Sequence, residues 1–131
     1  MIFDEMIFKD EKHKTFFKEQ VEKTRSRNDP YRKALFYVWG LTEETRENIE
    51  SLYNFKEKAI DFEGLNKSWQ TGTTIKVCRL AFNLYNGLYG QQDESESAMD
   101  YTPYGIFDCG LIDYMLEAVK IRFEEYKGLP F

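Results

Sequence analysis

Four polar residues, Lys76, Arg79, Asn83 and Asn86, recur at steps of three and four along a stretch that is otherwise apolar. That spacing stacks them on one side of a helix. An arginine fork in such a place suits a phosphate or a carboxylate, and asparagine amides suit the orienting of a polar ligand. The loop just upstream, Trp69-Gln70-Thr71-Gly72-Thr73, adds an aromatic face for stacking. Trp69, Gln70, Thr71, Arg79, Asn83 and Asn86 therefore make one candidate set, for a small ligand or a nucleotide. The competing reading is structural. Buried polar groups need partners, so Arg79 would pair with a buried carboxylate while the asparagines tie down the loop that carries Trp69.

A second set lies in the stretch 91–101, where Asp93, Glu94, Glu96 and Asp100 occur with no lysine or arginine among them. Such a run reads as a mobile acidic loop. It can enter the basic groove of a nucleic-acid-handling protein by offering carboxylates where phosphates would sit. Tyr101, Tyr104 and Phe107 follow it and are the next candidates for contact with a partner.

Little else in the chain suggests chemistry. The one histidine, His13, falls in the first turn of a helix and is expected to face solvent. The glycines form no phosphate loop, since the 69–73 segment lacks the Gly-Lys-Ser/Thr ending. Most carboxylates follow surface helical spacing, and Glu124 and Glu125 lie near Arg122 and Lys127, where solvated ion pairs explain them. Cys78 and Cys109 lack metal-ligand spacing, and Cys78 reads as a buried reduced thiol. The expectation is a non-enzyme with no catalytic residue, metal or cofactor.

The elements that must position these residues announce themselves through their ends. Asp10 caps a helix reaching about Arg27, with Phe16, Phe17, Gln20, Val21 and Thr24 on one side. Asp29-Pro30 restarts the chain as a helix to Trp39, and Gly40 is read as its left-handed cap. Thr42 caps the next helix, whose narrow apolar side is Ile49, Leu52 and Tyr53. The run 55–65 reads as one or two irregular helical turns. From Thr73 the pattern is apolar almost all the way round: Ile75, Cys78, Phe82 and Tyr85 form one stripe, and Val77, Leu80, Ala81, Leu84 and Leu88 a second. A helix of that kind belongs in a core. The last helix, from about Leu111 to Tyr126, is read with Ile112, Met115, Leu116, Val119, Phe123 and Tyr126 inward. The fold expected is all-α: one domain over 1–131, with five to six helices around a central buried helix at about 73–87, an apolar arm at 1–9 and the acidic loop at 91–101.

Composition agrees. The chain has 131 residues, 42% hydrophobic and 17% aromatic, with eleven Phe and nine Tyr against three Pro, so it is long and apolar enough to build its own core. A net charge of −5 does not suit direct binding of nucleic acid. The first eight residues lack the basic start and long apolar run of a signal peptide, and no segment approaches the roughly 20 apolar residues of a membrane span. A cytoplasmic protein is expected.

Three blocks carry a resemblance: Asp29-Pro30-Tyr31-Arg32-Lys33-Ala34-Leu35-Phe36-Tyr37, Trp69-Gln70-Thr71-Gly72-Thr73 and Arg79-Leu80-Ala81-Phe82-Asn83-Leu84-Tyr85-Asn86-Gly87. They resemble a small domain-of-unknown-function family of Clostridia-type Gram-positive bacteria, their phages and plasmids. The segment 118–126 is similar to that family's ending and departs from it at Phe123-Glu124. The resemblance implies no activity and transfers no catalytic residue. It implies a setting, the accessory genes of mobile elements, whose products bind host machinery. The function expected is therefore binding and inhibition or modulation of a host protein complex, with an anti-defence, anti-CRISPR-like role as its sharpest form. The small-ligand set is the alternative.

Overall fold

The computed structural model describes residues 5–90 and 95–130. Asp10 accepts the backbone N–H of His13 at 2.8 Å, and α1 runs over Glu11–Thr24. Asp29 accepts the N–H groups of Tyr31 and Arg32, and α2 opens at Pro30 and ends at Trp39. Thr42 caps α3 (Glu43–Glu47). Thr71 and Thr74 cap each other's backbone at the start of α4 (Gly72–Asn86), and Gly87 closes it at a φ of 80°. The short α5 (Pro103–Ile106) and α6 (Ile112–Arg122) complete the set. Each of these side-chain caps satisfies N–H groups that the first helical turn leaves without partners. The mostly helical class is borne out.

Between α3 and α4 the chain departs from the helical expectation. Tyr53–Asn54 (β1) pairs antiparallel with Ala59–Ile60 (β2), the one sheet among the described residues. Helix α3 stops at Glu47, so Ile49, Leu52 and Tyr53 are not one side of a helix. Asn48 ends it by donating its side-chain amide to the Glu44 carbonyl at 2.8 Å, a local bond that competes with further helix. A single 3-10 turn at Ile49–Ser51 then turns into the ribbon, and another at Phe62–Asn66 leads out of it.

Helix α2 is the hub. Every residue from Lys33 to Trp39 is buried, and the helix packs against α1, α4 and α6. The expected centre at 73–87 is instead its most extensive neighbour. Helix α4 buries Thr74, Val77, Cys78, Leu80, Ala81, Phe82 and Leu84, with the Phe82 ring edge-on to Trp39 at 6.0 Å. Burial pushes the Cys78 thiol up to about 12, as befits an inert core cysteine.

His13 is fully buried, contrary to the solvent-facing placement expected of it. Its Nε2 lies 2.7 Å from the Tyr37 carbonyl, and its Nδ1 accepts the Lys9 N–H at 3.0 Å. That pair of bonds fits the neutral tautomer protonated at Nε2. Burial lowers its pKa to about 4. Gly40 is also corrected: its φ of −73° is right-handed. Glycine is needed there because a Cβ would come 2.6 Å from His13 Cδ2.

Helix α6 is rotated from its expected orientation. Met115, Ala118 and Ile121 are buried, whereas Leu116, Phe123 and Tyr126 are exposed. Two adjoining faces of this helix are apolar, and polar partners elsewhere decide between them. Glu117 is buried where it accepts the Ile7 N–H at 2.9 Å. Just beyond the helix, Glu124 meets Lys33 at 2.6 Å, with both side chains largely buried, so it does not belong to a solvated pair.

Candidate interaction surface

The polar ladder on α4 holds down the chain that follows it. Nearest the N-terminal end, Lys76 Nζ reaches Asp108 Oδ1 at 2.5 Å. One turn on, Arg79 grips Glu96 through two parallel bonds, Nε to Oε1 at 3.1 Å and Nη2 to Oε2 at 2.6 Å. The Tyr101 hydroxyl donates to the same Glu96 Oε1 at 2.5 Å, and Asp100 stands 3.8 Å from Arg79. Asn83 donates to the Leu88 carbonyl at 2.8 Å, and Asn86 accepts the Leu88 N–H at 3.0 Å. The asparagines thus tie the turn after α4, not the loop carrying Trp69.

The electrostatics follow from this clamp. Burial pulls the Arg79 guanidinium down, and the Glu96 and Asp100 carboxylates outweigh it, leaving Arg79 above its ordinary value. Burial, then the bond to Glu96, pushes the Tyr101 hydroxyl well above the usual tyrosine range. Lys76 holds the Asp108 carboxyl below the usual carboxylate range. A bidentate, half-buried arginine–carboxylate pair is a strong and directional bond.

The ligand candidates of the 69–73 loop are engaged as well. Gln70 donates to the Gly64 carbonyl at 3.0 Å and accepts the Thr74 hydroxyl at 2.6 Å. Thr71 caps α4, and Trp69 is half-buried against the core. Gln70, Thr71, Arg79, Asn83 and Asn86 therefore each have a hydrogen-bond partner within the chain.

The partner-contact candidates separate. Asp93 and Glu94 lie outside the described residues. Glu96 and Asp100 are not free of basic neighbours, since the distant Arg79 comes to both. Within the stretch read as a loop, Ala98–Tyr101 forms a 3-10 turn. Tyr101 is buried, and Phe107 is half-buried against the core. Tyr104 is 80% exposed, and Met99, which nothing in the sequence pattern singles out, is 62% exposed.

Those two side chains stand on a closely packed base. A Cβ on Gly105 would lie 2.5 Å from the Met99 carbonyl oxygen, so α5 rests directly on the backbone of the Ala98–Tyr101 turn. The Thr102 hydroxyl also donates to that carbonyl at 2.8 Å. Tyr101 and Ile106 anchor the turn and the helix into the core. What remains outside is an aromatic ring and a thioether, with the partly exposed Asp100 and the exposed Asp108 nearby in sequence.

Over residues 3–128 the sequence matches the profile of the family of unknown function DUF6075. The chain belongs to that family. The resemblance read from the blocks 29–37, 69–73 and 79–87 is borne out to this extent. No curated protein and no solved structure matches the chain. In this DUF6075 chain the blocks 69–73 and 79–87 hold the start of α4 and the Arg79 of the clamp. Among the described residues, no helix is long and apolar enough to cross a membrane.

Proposed function

We propose that this chain is a non-enzymatic accessory protein of a mobile element that binds a host protein complex and inhibits or modulates it. The complex in question handles nucleic acid and belongs to host defence, which makes the activity anti-CRISPR-like in kind. The observation that carries the reading is Tyr104, 80% exposed beside Met99 on a base clamped by Arg79 and Glu96. Tyrosine is enriched among interface anchors, because its large ring has few rotatable bonds and little side-chain freedom is lost on binding.

Charge supports the choice of partner. From Asp93 to Asp108 the chain carries five carboxylates and no basic residue, and with Lys76 and Arg79 engaging Asp108, Glu96 and Asp100 the segment keeps an acidic excess that suits a basic groove built for phosphates. The mobile-element setting rests on the resemblance to Clostridia-type and phage sequences, and cytoplasmic action goes with it.

The test is affinity capture from the native host with immobilised wild-type protein and with Tyr104→Ser and Met99→Ser in parallel, read by quantitative mass spectrometry. A nucleic-acid-handling complex should be retained by the wild type and depleted about tenfold or more by Tyr104→Ser, the loss of an interface anchor. Equal recovery on the wild-type and Tyr104→Ser columns overturns the proposal.

A further inference from the structure

Helix α6 and the 3-10 turn that follows it leave an apolar stripe facing outward. Ile112, Leu116 and Val119 lie on α6 at steps of four and three, the spacing by which one helix seats another, and Phe123 at its cap and Tyr126 in the 3-10 turn beyond extend the stripe. Leu116 is 45% and Phe123 43% exposed, while Ile112 and Val119 are half-buried along the same stripe. Beside the seam, Val119, Lys120, Phe123, Tyr126 and Lys127 line a groove of about 360 Å³, shaped to take an apolar side chain. Nothing within the described chain fills it.

We infer that this seam pairs with α6 of a second copy of the chain, antiparallel, across a two-fold axis. Charge complementarity selects that occupant. In an antiparallel pair centred between Glu117 and Ala118, Leu116 opposes Val119 of the second copy and Ile112 opposes Phe123. The flanking positions then set Asp113 of each chain against Lys120 of the other, giving two ion pairs by symmetry. Both residues are exposed, so both are available. A parallel pair would need the opposite flank, which contains Met115, and that residue is fully buried in its own fold. The seam is thus complementary to itself in one orientation only.

The test reads mass against concentration by analytical ultracentrifugation, with thermal unfolding as a check on folding. Wild type should move from 15.7 kDa towards twice that value as concentration rises. Asp113→Lys and Lys120→Glu should each weaken association about tenfold, because each turns two attractive contacts per dimer into repulsive ones. Mixed together, the two variants should assemble with each other. In the mixed dimer the introduced lysine faces the introduced glutamate, and the native Lys120 of one chain faces the native Asp113 of the other. Leu116→Asp should be monomeric throughout. A wild type that stays monomeric at several hundred micromolar overturns the inference, as does a mixture that associates no better than either variant alone. Capture of a different helix on the seam by a monomeric wild type would likewise overturn it. None of these readouts depends on Tyr104, so they stand or fall apart from the proposed function.

Discussion

Arg79 and Glu96, seventeen residues apart in sequence, are joined by two parallel hydrogen bonds that close the segment after α4 back onto that helix. The relationship converts an acidic run into a held surface. It also places a guanidinium and a carboxylate where neither is well hydrated, so each depends on the other.

Arg79→Met should therefore destabilise the fold by about 2–3 kcal/mol, since it leaves Glu96 without its counter-charge in a largely buried position. The double variant Arg79→Met with Glu96→Gln should recover a good part of that loss. Urea denaturation of the two single variants and the double variant gives the coupling directly. Additive losses would mean that the pair contributes little.

His13 makes stability depend on pH. Its pKa is about 4 in the folded chain against 6.5 for the free side chain, so the unfolded state binds the proton first. Its contribution is fully present above about pH 6.5 and is lost as pH falls towards 4, by about 3 kcal/mol in all at 1.4 kcal/mol per pKa unit. Denaturation at pH 7, 6 and 5 should show the decline, and the imidazole NMR shift should titrate near 4. A titration near 6.5 would mean that the ring is hydrated.

Gly40→Ala should cost about 1–3 kcal/mol, the range for forcing extra volume into a filled core, because its Cβ meets His13 Cδ2 at 2.6 Å. The backbone there is right-handed and would accept alanine. Thermal unfolding of Gly40→Ala and of Gly40→Ala with His13→Ala separates the causes: shortening His13 should remove most of the added cost of the alanine.

Phe82→Ala should cost roughly 3–5 kcal/mol, the range for deleting a buried aromatic, because the ring is fully buried against Trp39. A loss below about 1 kcal/mol by urea denaturation would contradict that environment.

The helix starts were legible in the sequence because capping is local. Asp10, Asp29, Thr42 and Thr71 each bond to backbone within three residues, and Gly87 meets a conformational demand at its own position. What could not be read depends on distant residues. Nothing in the neighbours of His13 says that Tyr37 will receive its ring nitrogen, and nothing near Gly40 announces His13. The Arg79 requirement for a carboxylate was legible, but its identity was not, because Glu96 looked like part of a solvated run. Helix α6 offered two apolar faces of similar strength, and Glu117 with Ile7 settled which one turns inward. Among the contact candidates, Tyr101 and Tyr104 look alike in sequence, yet Tyr101 is buried in the core with its hydroxyl on Glu96 and Tyr104 is exposed.

The most direct measurement is the activity of the host complex itself. With the captured complex purified, its binding to nucleic acid is measured as the wild-type chain or Tyr104→Ser is titrated in, at low and at high salt. The wild type should compete, and its competition should weaken as salt rises, because the acidic platform and a basic groove attract through screened charge. Tyr104→Ser, folded as before, should compete at least about tenfold less well. Nucleic-acid binding left unchanged at saturating wild-type protein, or reduced equally by both proteins, would contradict the proposed function.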